Sequence, residues 1–147
     1  MSALTVNSDK SNSLARLAGQ GAIAGLAGGL VFAVTMAMGG MLPMVGMLVG
    51  VDNSIVGFIV HMAISAFIGA IYGLVAGRFS LTSGNALIGG VINGLVWWVL
   101  GALALMPLFL GMNEMIFVIG QPQWMSLVGH ILYGLVTAFA FNYLARR

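Results

Sequence analysis

Charged side chains divide this chain into four long uncharged stretches. The uncharged stretches are 17–51, 53–77, 79–113 and 115–145. Each exceeds the roughly 20 apolar residues that a helix needs to cross a bilayer. The pattern therefore predicts a polar N-terminal tail, 1–13, followed by a single four-helix transmembrane domain, 14–147. The predicted helices are 14–42, 54–77, 83–105 and 123–145.

The composition supports the membrane assignment. Of the 147 residues, 61% are hydrophobic and 5% are charged, whereas a soluble domain carries about 25% charged residues. The sequence thus predicts an all-α, integral membrane four-helix bundle, multi-pass in the plasma membrane and surrounded by the lipid bilayer. The chain has no cysteine, which excludes disulfides and thiolate metal sites.

The basic residues predict the orientation of the bundle. Lys10 and Arg16 precede the first helix, Arg78 lies between the second and third, and the chain ends in two arginines. The only charged residues in the other two loops are Asp52 and Glu114. Because basic residues stay on the cytoplasmic side, both termini are predicted to be cytoplasmic. The net charge of +2 reflects this anchoring and gives no reason to expect a nucleic-acid partner.

Two helices carry a stripe of small and polar residues at every fourth position. Such a stripe lets another helix approach closely, and a histidine within it must face protein rather than lipid. Asn93 and Asn142 are the remaining intramembrane amides, and we expect both to join helices. The stripe residues are Gly57, His61, Ser65, Gly69, Gly73 and Gly77 in the second helix, and Ser126, His130, Gly134, Ala138 and Asn142 in the fourth.

The two halves of the chain resemble a tandem repeat. Residues 21–34 align with 86–99 at an offset of 65, which matches Gly25 with Gly90. Two helices per repeat give both repeats the same orientation and a pseudo-twofold axis along the membrane normal. Such an axis predicts that His61 and His130 lie at the same depth.

The histidine pair has three interpretations. In the first, each imidazole only donates a hydrogen bond to a neighbouring helix, and no cofactor is expected. In the second, His61 and His130 supply two axial nitrogens to haem or another tetrapyrrole. In the third, histidine and thioether ligands such as Met41, Met44 and Met62 bind copper, since this donor set suits Cu(I).

The last helix carries a GH-x-x-YG pattern, with Gly129, His130, Tyr133 and Gly134. With the Met106–Pro107 pair that ends the third helix, this pattern resembles a group of small four-helix bacterial and archaeal membrane proteins of unknown function. The resemblance implies the four-helix fold and no activity.

Little in the sequence points to catalysis. Asp52 and Glu114 lie in separate loops, and no acidic residue lies within a predicted helix. We therefore expect a non-enzymatic accessory or structural subunit of a larger membrane complex, of respiratory or photosynthetic type, with other membrane-protein subunits as partners. A small haem- or copper-binding membrane protein is the alternative. A protomer of an oligomeric transporter or channel is the third possibility.

Overall fold

The computed structural model describes the backbone of residues 2–147 and the side chains from residue 13 onward. The described chain is helical throughout apart from short turns, and no strand occurs in it. Two 3-10 turns lie in the loops, and a π-helix joins α4 to α5. The helices are α1 (Ser2–Met38), α2 (Leu42–Gly46), α3 (Ser54–Ala76), α4 (Ser83–Trp97), the π-helix (Trp98–Leu105), α5 (Met106–Phe109) and α6 (Gln121–Ala145).

Four continuous helical stretches of the described chain are long and apolar enough to cross a membrane. One of them combines α4, the π-helix and α5. This confirms the prediction of an all-helical protein with four long apolar helices. The four segments are Ser13–Met38, Ser54–Ala76, Ser83–Phe109 and Gln121–Ala145.

The first helix begins earlier and ends earlier than predicted. It starts at Ser2, so helix occupies most of the segment 1–13 that was predicted to be a tail. No glycine or proline occurs before Gly19, and nothing in the backbone chemistry interrupts the helix there. At the other end the helix stops at Met38 rather than near residue 42, because Gly40 takes a positive φ of 64°. The Met41 N–H then bonds to the Met36 carbonyl at 2.9 Å, which is the Schellman termination.

The third span is longer than the predicted 83–105. Pro107 has no N–H, and its ring would clash with the carbonyl of Leu103 in a regular helix. The backbone widens into the π-helix ahead of the proline, and the Leu103 carbonyl accepts a hydrogen bond from the Phe117 N–H at 2.9 Å instead. The helix continues to Phe109, and Gly111 with φ 71° then reverses the chain.

Side-chain caps fix the starts of α3 and α4. The Asn53 side chain accepts hydrogen bonds from the N–H groups of Ile55 and Val56. Thr82 caps α4 by accepting from the Asn85 N–H at 3.1 Å. Both caps satisfy N–H groups that have no partner within their own helix, so both helices start close to their predicted positions.

The helices pack in the order α3, α1, α6, α4. Helix α1 contacts both α3 and α6, and α6 also contacts α4 along its length. Buried side chains of α1, α2, α3 and α6 form one core cluster, against which Trp97 packs. The first and last helices in this order, α3 and α4, do not pack against each other as the neighbouring helices do. This leaves a groove between them, described below.

Candidate functional site

Small residues bring α1 and α3 into backbone contact. A methyl group added at Gly25 would overlap the Ser65 carbonyl and lie 2.7 Å from the Gly69 Cα atom. One added at Gly73 would lie 2.9 Å from the Gly21 Cα atom. The stripe residues Ser65, Gly69 and Gly73 therefore face α1. Gly57 lies at the outer end of the same stripe and faces α2, against the Leu42 carbonyl.

The α4–α6 interface is built in the same way. A methyl group at Gly90 would lie 2.9 Å from the Gly134 carbonyl oxygen, and one at Gly94 would lie 3.0 Å from the His130 carbonyl carbon. Gly134 and the backbone of His130 thus face α4. Asn142 joins the same two helices near the start of α4 and the end of α6. Its Nδ2 donates to the Thr82 carbonyl at 2.9 Å.

His61 is buried and bonded to the neighbouring helix. Its Nε2 lies 2.9 Å from the Gly29 carbonyl oxygen of α1 and donates to it. Ser65, one turn further along α3, places its hydroxyl 3.5 Å from the same nitrogen. The imidazole therefore ties α3 to α1 at Gly29, where the missing side chain leaves room for Ser65.

His130 is bonded within its own helix. Its Nδ1 lies 2.8 Å from the Ser126 carbonyl oxygen and 3.2 Å from the Ser126 hydroxyl. Both contacts reach back one turn along α6. The two histidines thus use different ring nitrogens and different kinds of partner.

The ring of Phe32 contacts both histidines. Its centroid lies 5.3 Å from that of His61, nearly perpendicular, and 4.7 Å from that of His130. Edge-to-face contacts at these separations are favourable. Gly129 makes room for Phe32, because a methyl group there would overlap the phenyl ring. At the centre of the bundle one phenyl ring therefore contacts both imidazoles edge-to-face.

Tyr133 completes this centre. It is 3% exposed, and its hydroxyl donates to the Ser65 carbonyl at 2.8 Å. This bond links α6 to α3, which otherwise touch little. Thr137, one turn along, lies against Gly28 of α1.

This arrangement bears on the predicted ligands. Two histidines that ligate one metal ion hold their nitrogens about 4 Å apart, because each metal–nitrogen bond is about 2 Å. Here Phe32 lies against both rings, so a shared ion or tetrapyrrole requires that side chain to move. No group of three or more histidine and acidic side chains lies together in the part of the chain described.

The predicted copper thioethers lie in different surroundings. Met41 packs against the core cluster, and the Met62 sulfur lies beside Gly29. Met44 is 42% exposed. The structure therefore gives these methionines separate neighbours.

A groove of about 500 Å³ opens between α3 and α4. Tyr72 and Val75 of α3 form one wall, Gly89 and Asn93 of α4 form the other, and Phe141 of α6 forms the floor. Trp97, also in the lining, closes one end, and Phe79, Ser80 and Leu81 of the α3–α4 loop close the other. The lining is apolar apart from a few polar groups.

Two polar side chains, Asn93 and Tyr72, lie in the walls of the groove. Asn93 is 9% exposed, and its Nδ2 is buried without a hydrogen bond in the described chain. Tyr72 packs its ring edge-to-face on Phe141 with centroids 5.8 Å apart. Its hydroxyl lies 2.9 Å from where a methyl group at Gly89 would stand. The structure places Asn93, which was predicted to join helices, in the wall of the groove.

Sequence reasoning missed Phe32 and Tyr72, which organise the centre and the groove. An aromatic residue in an apolar helix carries no periodic signal of its own, since lipid-facing and buried positions look alike. The one available signal was Gly129 beside His130. A small residue next to a buried histidine indicates that a bulky side chain from another helix fits there.

Comparison with known proteins finds no matching family, no similar curated protein and no similar solved structure.

Proposed function

We propose that this chain is a non-enzymatic, multi-pass protein of the plasma membrane that acts as an accessory or structural subunit of a larger membrane complex. The observation that carries the proposal is the direction of its polar groups. The imidazoles and the Tyr133 hydroxyl bond to backbone carbonyls inside the bundle, while large apolar side chains cover the outside of all four spans. Such a molecule offers lipid and other subunits an apolar surface.

Topology belongs to the same proposal. The basic residues at the ends of α1, α3 and α6 favour cytoplasmic termini, with Asp52 and Glu114 outside. Cysteines introduced at Ser11 and Asn113 test this with an impermeant thiol reagent on intact cells. Labelling at Asn113→Cys and not at Ser11→Cys agrees with the proposal, and the reverse pattern overturns it.

The contacts also favour the tandem repeat. Gly25 of α1 packs on Ser65 of α3, and its repeat counterpart Gly90 packs on Gly134 of α6. Ser65 and Gly134 are each four residues past a histidine. Equivalent glycines thus meet equivalent positions, as two copies of one hairpin would.

Photo-crosslinking tests the accessory role. A benzophenone amino acid replaces Phe67, which is 64% exposed on α3, or Phe141, which is 1% exposed. If the chain is a subunit, the Phe67 variant forms a crosslinked adduct with one membrane polypeptide. On a native gel, the wild-type chain that has not been crosslinked migrates together with the same polypeptide. The buried Phe141 variant is the matched control and forms none. A wild-type chain that migrates alone in several mild detergents, with only lipid adducts at Phe67, contradicts the proposal.

A further inference from the structure

The groove between α3 and α4 has the dimensions of a small-molecule site. Binding cavities for small ligands are about 300–1,000 Å³, mostly apolar, with a few placed polar groups. This groove has about 500 Å³ and an apolar lining. Trp97 closes it toward the core cluster, and the α3–α4 loop closes it at the other end. It is a pocket with a side opening rather than a channel.

The lining includes two residues that can donate hydrogen bonds into the groove, Asn93 and Tyr72. The Asn93 Nδ2 is buried and has no partner among the described residues, although most buried polar atoms in proteins are bonded. The Tyr72 hydroxyl lies at Gly89, one helical turn from Asn93 on the same side of α4. Both residues therefore line the same region of the wall.

The walls favour a flat occupant. The half-buried rings of Tyr72 and Trp97 line the cavity above the buried ring of Phe141, and aromatic rings pack well on other planar rings. A lipid tail would fill the volume and leave both donors unpaired. A transmembrane helix is about 10–12 Å across and about 30 Å long, whereas the α4 wall from Asn85 to Trp97 extends about 18 Å at 1.5 Å per residue. A transmembrane helix is therefore too long for this groove.

From these features we propose that the groove binds a lipophilic ring compound bearing a carbonyl oxygen, of the chemical class of quinones. The ring lies among Tyr72, Trp97 and Phe141, and the carbonyl oxygen accepts hydrogen bonds from Asn93 and Tyr72. The site belongs to this chain alone. It does not depend on the proposed accessory role, and a purified chain without partners retains it.

The test compares two ring compounds that differ in their carbonyl groups. The purified chain in nanodiscs is dialysed to equilibrium against 2-methyl-1,4-naphthoquinone or 2-methylnaphthalene, and uptake by empty nanodiscs is subtracted. The proteins are the wild type, Asn93→Leu and Tyr72→Phe. Leu95→Ala is the matched control on α4, since Leu95 is exposed and lies outside the pocket lining.

We expect saturable binding of the quinone by the wild type and by Leu95→Ala. One net hydrogen bond corresponds to a change of about five- to tenfold in affinity. Quinone affinity should therefore fall by about that factor in each of Asn93→Leu and Tyr72→Phe, while binding of the hydrocarbon stays the same. Tyr72→Phe keeps the test decisive if Asn93→Leu does not fold.

Three results would overturn the inference. The first is absence of saturable quinone binding above that of empty nanodiscs. The second is equal affinity of the wild type for the quinone and the hydrocarbon. The third is unchanged quinone affinity in folded Asn93→Leu and Tyr72→Phe. None of these outcomes affects the crosslinking test of the accessory role, so the two proposals fail separately.

Discussion

The α1–α6 interface and the α3–α4 groove are equivalent positions in the proposed repeat, yet one is closed and the other is open. Between α1 and α6, small residues oppose large ones: Gly129 receives Phe32, and Gly28 receives Thr137 and Tyr133. Between α3 and α4, Tyr72 meets Gly89 with its hydroxyl and the adjoining edge of its ring. The helices there are separated by the length of a side chain.

This difference shows that glycine content alone does not close a helix pair. Both pairs contain glycines, but only α1 and α6 place a bulky side chain fully inside the space that a glycine leaves. Without a hydrophobic driving force between helices in lipid, such packing and the interhelical hydrogen bonds are what hold the pair together. We therefore expect substitutions at the α1–α6 interface to reduce stability, and equivalent substitutions at the groove to change it little.

Removing the phenyl ring should give the largest effect. Phe32→Ala removes the buried ring that contacts both imidazoles and should lower the unfolding free energy by about 3–5 kcal/mol. Phe79→Ala is the control, because Phe79 lies at the end of the groove and is 65% exposed, and we expect a loss below about 1 kcal/mol. Unfolding in mixed micelles titrated with SDS measures both. Equal losses would mean that the α1–α6 interface is no better packed than the groove.

Adding one methyl group should give the next largest effect. In Gly28→Ala the new methyl overlaps Thr137 and lies 2.6 Å from the Tyr133 carbonyl oxygen. Backbone cannot move aside as a side chain can, so the expected loss is about 1–3 kcal/mol. In Gly89→Ala the methyl meets only the end of the Tyr72 side chain, which has open space beside it.

The same SDS titration should find Gly89→Ala within about 0.5 kcal/mol of the wild type, the usual range for substitutions away from packed features. If Gly89→Ala is the more damaging of the two, α4 is held against α3 more tightly than the groove indicates.

The broad fold was predictable because charge and hydropathy are local properties. Asp52 and Arg78 alone bracket one uncharged stretch, and α3 occupies it. The continuation of the third span beyond Pro107 was not predictable. It depends on the Phe117 N–H reaching the Leu103 carbonyl, a contact that exists only once the loop has folded back.

The centre of the bundle was predictable only in part. The four-residue spacing located Ser65 and Gly69 on one face of α3, since helical geometry fixes which residues share a face. The spacing contains no information on which helices become neighbours. The groove and the unpaired Asn93 follow from that choice, because a symmetric bundle would have packed α4 against α3 as α6 packs against α1.

Removing one tyrosine hydroxyl should give a smaller difference in unfolding free energy between the two regions. Tyr133→Phe deletes the bond to the Ser65 carbonyl and should lower the unfolding free energy by about 1 kcal/mol. Tyr72→Phe deletes a hydroxyl with no partner in the described chain and should leave stability unchanged in the absence of ligand. Thermal unfolding of both variants in one detergent provides the comparison. A loss in Tyr72→Phe as large as that in Tyr133→Phe would show that the Tyr72 hydroxyl is bonded within the bundle.

The smallest expected effect concerns the two histidines. His61→Leu removes a bond between helices, which in membranes averages about 0.6 kcal/mol, and His130→Leu removes bonds within α6. If each imidazole acts only on its own carbonyl, the double variant should lose the sum of the two single losses within about 0.5 kcal/mol. If both hold one haem or copper ion after movement of Phe32, either single variant should release it and the double variant should be no less stable than a single one. Unfolding titrations of the variants, together with absorption spectra and metal analysis of the purified proteins, decide between these outcomes. We expect additive losses of unfolding free energy. A Soret band or stoichiometric copper that is present in the wild type and disappears in both single variants would establish a shared site instead.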